Sequence, residues 1–339
     1  MRHDHESGFA IAIDDSSQVG ETRRNAAAMA AAVGLSPTDA GKFAILATEA
    51  ATNIAKHAGR GEIVLRSFDT FGVRGVELIA IDKGPGIPDL DSALRDGYST
   101  AGSPGGGMGA FSRLADQFDI YTVAGAGTVL VARVSAARAS VRNRPAFDIG
   151  AVRVAKRGEY ECGDDWGLVS HESGRVTLTV ADGLGHGNAA AEASRRAVEV
   201  AADHTADSPG VILNHLHAGL RATRGAALAV AQFDSTGPAL QYAGLGNIAA
   251  SIVSPTDSKS LVSHNGIAGH EMRKIQEFSY DWPSDALLVM HSDGVSARWD
   301  LRKHPGLVMR DPSVVAGVIY RDYSRGRDDA LVVVVRPTA

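Results

Sequence analysis

Residues 47–58 read "ATEAATNIAKHA", which puts Glu49, Asn53 and His57 four apart. At helical pitch that spacing lays the three polar groups on one face, while the alanines and Ile54 leave an apolar side for packing. Upstream, Glu21–Ala32 predicts another helix, ended by Gly34 and Pro37, and the helix carrying the polar face is expected over Ala40–His57. Strands are expected at Phe9–Ile13, Ile63–Ser67, Val76–Ile81, Ile120–Val123 and Thr128–Val134, with a helix running through Leu114 and Phe118. Helices on one face of a mixed or antiparallel sheet make this half an α+β sandwich.

Working outward, "IDKGPGI" places Asp82 at a strand end before Gly84 and Gly86, and "GSPGGGMG" supplies Gly105, Gly107 and Gly109. A strand-end carboxylate can accept a hydrogen bond from an exocyclic amine, and the glycines admit a flat base. Backbone N–H groups in the second stretch can fold over phosphates. The chain contains no G-x-x-x-x-G-K-[ST], and the glycine loop is not followed at once by a helix as a dinucleotide-binding turn requires.

After Ser135–Pro145, a linker of small and basic residues, a second core begins. Domains are expected at 1–135 and 147–339, joined through 136–146. The second half alternates through strands at Trp166–Val169, Thr177–Ala181, Ala226–Phe233, Ala239–Ala243, Ala249–Val253, Ala286–Met290 and Ala330–Val335, with helices at Ala189–Ala202 and Val211–Arg221. Two packed sheets flanked by helices follow from that pattern. Four acidic segments fall at strand ends: "ECGDDWG", "VADGLGHG", "MHSDGVS" and "GRDDALVVVV". Asp carboxylates and backbone carbonyls are the hard oxygen donors that Mg²⁺ or Mn²⁺ prefers.

Composition narrows the classes. The 339 residues suffice for about two domains. One Cys excludes intrachain disulfides and thiolate-rich zinc centres. A net charge of -5 gives no general attraction to nucleic acid. No apolar run reaches the roughly eighteen residues of a membrane span, and no signal segment opens the chain, so a cytoplasmic protein without a membrane partner is expected. Glycine, 38 residues, is in excess.

The first half resembles the GHKL (Bergerat) ATP-binding fold, closest to the anti-sigma serine kinases of the RsbT type, over "ATEAATNIAKHAGRGEI", "DKGPGIPDLDSALRDGYSTAG" and "RLADQFDIYTVAGAGT". The resemblance implies ATP and Mg²⁺, with Glu49 as catalytic base, Asn53 as Mg²⁺ ligand, Asp82 reading adenine, Gly84 and Gly86 shaping its floor, Gly105, Gly107 and Gly109 in a lid, and Thr128 near the base. The second half resembles the PPM-type (type 2C) serine/threonine phosphatases, in their SpoIIE and RsbX branch. This implies two Mn²⁺ or Mg²⁺ held by Asp164, Asp182, the Gly183 carbonyl, Asp293 and Asp328, with Asp182 and Asp293 central to catalysis. The doublets Asp164-Asp165 and Asp328-Asp329 leave a one-position ambiguity, and the first member of each is chosen because it takes the motif position.

His57 reads as a packing or solvated residue, and Cys162 as a packing one. His186 reads as a turn residue or as a group near the phosphate, and Asn188 as a helix cap. The two resemblances together imply a bifunctional kinase and phosphatase acting on STAS-domain phosphoprotein regulators in a pathway that controls a sigma factor. The other reading is an ATP-binding partner-switching adaptor with phosphatase activity alone.

Overall fold

The computed structural model describes the chain except residues 1, 5–7, 71, 95–106, 137–145, 172–173, 235–236, 238, 273–274 and 339. Gly105 and most of the expected linker lie outside the described residues. The chain divides into two compact units, Glu6–Arg144 and Met1–His5 with Pro145–Ala339. The first five residues therefore group with the second unit: β1 (Arg2–Asp4) pairs antiparallel with β8 (Asp164–Ser170), Arg2 opposite Ser170. Among the described residues no helix is long and apolar enough to cross a membrane.

The first unit is a two-layer sandwich. Its antiparallel sheet has the order β2-β3-β4-β6-β5, from β2 (Gly8–Ile13), β3 (Gly61–Thr70), β4 (Val73–Asp82), β5 (Gln117–Val123) and β6 (Gly127–Ser135). Helices α1 (Ser17–Ala32) and α2 (Pro37–Asn53) cover one face, with the short α3 (Leu90–Leu94) and α4 (Gly109–Leu114) after β4. Phe43, Leu46, Ala47, Ala50 and Ile54 pack into one core with Ile63, Leu65, Val76 and Leu78. Burying these side chains is the main favourable contribution, roughly 1.5–3 kcal/mol for each large one.

Three elements depart from expectation. Pro37, expected to help end the first helix, instead opens α2 behind Ser36, whose Oγ accepts the Asp39 N–H at 3.1 Å. Proline suits that position because its missing N–H would have had no helical partner. After Asn53 the helix widens into a π turn, Ile54–Ala58, closed by Gly59 at φ 79°. The helix expected through Leu114 and Phe118 stops at Leu114. Asp116 there takes strand pairing, its N–H donating to the Arg133 carbonyl at 2.9 Å and its Oδ2 accepting the Ser135 N–H at 2.9 Å. Phe118 enters β5 and stacks on Phe111 with centroids 5.6 Å apart.

The second unit packs two antiparallel sheets between helices. One has the order β1-β8-β9-β10-β11-β16, the other β13-β12-β17-β18-β7. The strands are β7 (Phe147–Val154), β9 (Arg175–Gly183), β10 (Ala226–Asp234), β11 (Ala239–Leu245), β12 (Ala249–Val253), β13 (Ser258–Ser260), the small ribbon β14 (Gly266–Ile267) and β15 (Glu271–Met272), then β16 (Phe278–Asp281), β17 (Leu287–His291) and β18 (Ala330–Pro337). Helices α5 (Asn188–Asp203) and α6 (Pro209–Gly219) lie on the first sheet, and α7 (Pro312–Tyr323) on the second. Phe147 bridges the layers through Phe233 and Trp282, at centroid distances of 4.6 and 5.8 Å. The architecture positions the ends of β8, β9, β17 and β18 to share one acidic centre.

Candidate functional site

In the first unit Glu49 and Asn53 occupy successive turns of α2, both half-buried. Glu49 makes no hydrogen bond or ion pair with the described residues. Asn53 donates from Nδ2 to Met108 Sδ at 3.6 Å, tying α2 to the residue between Gly107 and Gly109. Its Oδ1, the atom a cation would use, accepts nothing from the described residues. His57 leaves this face, because the π turn breaks the spacing of four that an α-helix would have kept in line. It is exposed.

Asp82 ends β4 opposite Thr128 on β6. Its Oδ1 accepts the Gly84 N–H at 2.8 Å and the Thr128 N–H at 3.3 Å. Thr128 Oγ1 lies 3.0 Å from Thr122 Oγ1, which accepts the Ile87 N–H at 2.9 Å. Aspartate, loop and strand pair are thus cross-tied. Glycine is required where these segments touch: a Cβ on Gly84 would lie 2.8 Å from Ala58 Cα, which seats the π turn on the Asp82 loop. At Gly127, φ 85°, a Cβ would lie 2.1 Å from the Asp82 carbonyl oxygen. Gly86 sits at φ 72° against the Val123 backbone. Gly107 and Gly109 form the turn into α4, with the Ala110 N–H donating to the Gly107 carbonyl.

The second unit gathers its carboxylates more tightly. Asp164 and Asp182 face each other across β8 and β9. Asp164 is 1% exposed, and its Oδ2 accepts from Ser292 Oγ at 2.6 Å. Ser292 in turn accepts the Leu331 N–H at 3.0 Å, so β17 and β18 both fix this contact. Burial pushes Asp164 well above the usual carboxylate range, and the Asp182 charge adds to it. Asp182 is raised to about 7, first by burial and then by the charges of Asp293 and Asp328. Asp293 Oδ2 accepts from Asn247 Nδ2 at 2.6 Å. Gly183 presses on the first turn of α5, where a Cβ would lie 2.1 Å from the Ala190 carbonyl oxygen.

The doublets resolve differently from each other. Asp165 is engaged by Arg153 at 2.9 Å and by the Trp166 N–H at 3.0 Å, leaving Asp164 to face the acidic centre. Asp328, the member chosen from the sequence, is exposed, whereas Asp329, the other member of that ambiguous doublet, is 3% exposed. Asp329 Oδ1 accepts the Lys156 N–H at 2.8 Å, and its Oδ2 is buried with no hydrogen-bond partner among the described residues. Burial raises it as well, and its charge reaches both Asp164 and Asp182. The alternation of "RDDALVVVV" was the available signal, since one residue of each adjacent pair must turn inward.

His186 pairs with Glu159, Nδ1 to Oε1 at 2.6 Å, and is exposed. Gly187, at φ 73°, is the N-cap of α5, and Asn188 is instead its first residue. Because Gly187 holds the cap position, Asn188 does not take the role expected of it. Burial, with the Asp164 charge adding to it, holds the Cys162 thiol well above its ordinary range, so it offers no thiolate nucleophile.

Carboxylates that raise one another, together with a buried oxygen lacking a donor, are the donor set a divalent cation satisfies. The residues therefore fit the metal centre implied by the sequence.

A family model for the histidine kinase-like ATPase domain matches residues 13–134, and one for stage II sporulation protein E (SpoIIE) matches residues 172–337. The serine/threonine-protein kinase RsbT of Bacillus subtilis (strain 168) is 38% identical over 100 residues, covering 30% of this chain and 75% of RsbT. A solved chain described under "The bacterial stressosome: a modular system that has been adapted to control secondary messenger signaling" is similar at 28% identity and TM-score 0.52, over 56% of this chain and 99% of that one. The PP2C phosphatase domain of SpoIIE from Bacillus subtilis, solved with a fragment of its regulatory domain, gives 18% identity and TM-score 0.50 over 78% of each chain. That last likeness concerns the fold alone.

Proposed function

We infer that this chain, which belongs to the RsbT-like family of serine/threonine kinases through its first unit and carries a SpoIIE-type PP2C phosphatase domain as its second, both adds and removes phosphate on regulatory proteins. The substrates are STAS-domain regulators of a cytoplasmic partner-switching pathway controlling a sigma factor. What supports this reading is that one chain carries residues suited to both chemistries. Glu49 and Asn53 lie on successive turns of α2, in the unit whose β4 ends at Asp82, and Asp164, Asp182, Asp293, Asp328 and Asp329 share one acidic centre.

In the first unit Asp82 would accept a hydrogen bond from the adenine amine of ATP, and the Asn53 side-chain oxygen would hold Mg²⁺. Glu49 takes the proton of a serine or threonine hydroxyl as its oxygen bonds to the γ-phosphorus and the bond to ADP breaks. In the second unit Asp164, Asp182, the Gly183 carbonyl, Asp293 and Asp328 would hold two Mg²⁺ or Mn²⁺, with Asp329 alongside. Such ions supply an acidified water and offset phosphoryl charge. The chain's own contribution is position: Ser292 fixes Asp164, and Asn247 fixes Asp293.

The test incubates the full chain with ATP, Mg²⁺ and STAS-domain proteins and follows phosphate on each by mass over time. Phosphate transferred, then released when ATP is removed, is the expected result. Nucleotide binding without transfer to any partner would reduce the first unit to an adaptor.

A further inference from the structure

At the far end of α5 from the acidic centre, three side chains converge that neither chemistry uses. His204 is the C-cap of α5, Asp207 lies in the following turn, and His215 sits on α6. His204 Nδ1 and His215 Nε2 each lie 3.4 Å from the same oxygen, Asp207 Oδ2. The three donor atoms are all within 4.8 Å of one another. The two imidazoles stack, with centroids 3.7 Å apart and planes at 6°.

Charge-assisted hydrogen bonds close to about 2.7–2.9 Å, so one oxygen held 3.4 Å from two nitrogens is not in a tight ion pair. The distance matches instead the edge of a tetrahedron around zinc, about 3.3 Å for bonds of about 2.0–2.1 Å. The side chains are 35%, 40% and 42% exposed, which leaves the rings room to turn about χ2 and aim both lone pairs at one ion.

The backbone under these groups is braced. Gln232, 4% exposed, reaches from β10 to donate to the Asp207 carbonyl at 2.8 Å and the Thr205 carbonyl at 3.3 Å. The Asp207 N–H donates to the His204 carbonyl at 3.0 Å, closing the turn. Glu277 anchors the start of α6 through Ser208 Oγ and the Gly210 N–H. Support of this kind holds ligands in place before an ion arrives. The C-terminal end of α5 also favours positive charge beside His204.

We propose that His204, Asp207 and His215 bind a divalent transition-metal ion of the zinc class, with a fourth position open to water. Two imidazoles and one carboxylate select zinc over magnesium, which prefers oxygen donors. The 16 residues of α5 separate this site from the acidic centre by about 24 Å along the helix. Occupancy would pin α5 to α6 without entering the reaction.

The experiment titrates the full chain with Zn²⁺ alone, and separately with Co²⁺ read by visible absorption. It compares the native protein with His204→Ala/His215→Ala and with the near-isosteric Asp207→Asn. The native chain should bind one more Zn²⁺ per molecule than either variant and show a Zn²⁺-induced rise in Tm that both variants lose. Mg²⁺-dependent phosphate release should be unchanged in both variants, which separates this site from the acidic centre. Equal Zn²⁺ stoichiometry and equal Tm shifts in all three proteins would overturn the proposal.

Discussion

Asp182 sits where burial and the Asp293 and Asp328 charges oppose its ionisation, and it is raised to about 7 from 3.8. In the metal-free chain the folded state therefore keeps a proton that the unfolded state has given up. Its stabilising effect is complete below the unfolded value near 4 and is lost as pH rises through about 7. The Tm of the chelator-treated protein should fall between about pH 4 and about pH 7, and Asp182→Asn should flatten that slope. A slope unchanged in the variant would show that Asp182 is not the group responsible. Glu49 gives the complementary case: Glu49→Gln should cut phosphate transfer about 10²–10⁴-fold while nucleotide affinity holds, because the adenine contact is proposed at Asp82 and not at Glu49. Parallel loss of binding and transfer would contradict that division. The gathering of Asp164, Asp182, Asp293 and Asp328 was legible as acids at strand ends. Asp329 was not, because adjacent aspartates are equivalent until the strand register turns one inward.

Elements were most readable where periodicity and end signals agreed. The sheet strands of the first unit and the long α5 fall close to their expected places. Local competition explains the rest. At Leu114 an apparently continuing helix yields to strand pairing by Asp116, and at Asn53 the α-helix yields to a π turn that seats Ala58 on Gly84. Neither can be seen without the opposing strand or loop. Helix α7 was missed because its valines and Ile319 read equally as strand. Its placement depends on Gly150 of β7, where a Cβ would lie 2.0 Å from the Ser313 nitrogen. Asp311 caps the same turn, its side chain accepting the Ser313 N–H at 2.8 Å, so that backbone has little freedom to withdraw. Gly150→Ala should destabilise the second unit by about 1–3 kcal/mol, seen as a lower urea midpoint. An unchanged midpoint would mean that α7 moves away at no cost.

At the scale of the whole molecule, a kinase set and a phosphatase set in one chain oppose each other if they share a phosphoacceptor. With ATP in excess, the phosphorylated fraction of that partner then settles where transfer and release are equal, and ATP is consumed continuously. Single substitutions in the full chain separate the two rates without cutting it. Glu49→Gln should drive the partner towards the unphosphorylated state, and Asp182→Asn towards the phosphorylated one, while the double variant should leave added phosphoprotein unchanged. The native chain should lie between the single variants and should hydrolyse ATP faster in the partner's presence than either. If the two units instead serve different partners, Asp182→Asn will leave the kinase substrate's phosphorylation at its native level while a second phosphoprotein accumulates. Phosphate measured on each candidate partner, with ADP release measured in the same reactions, distinguishes a self-opposing switch from two enzymes carried on one chain.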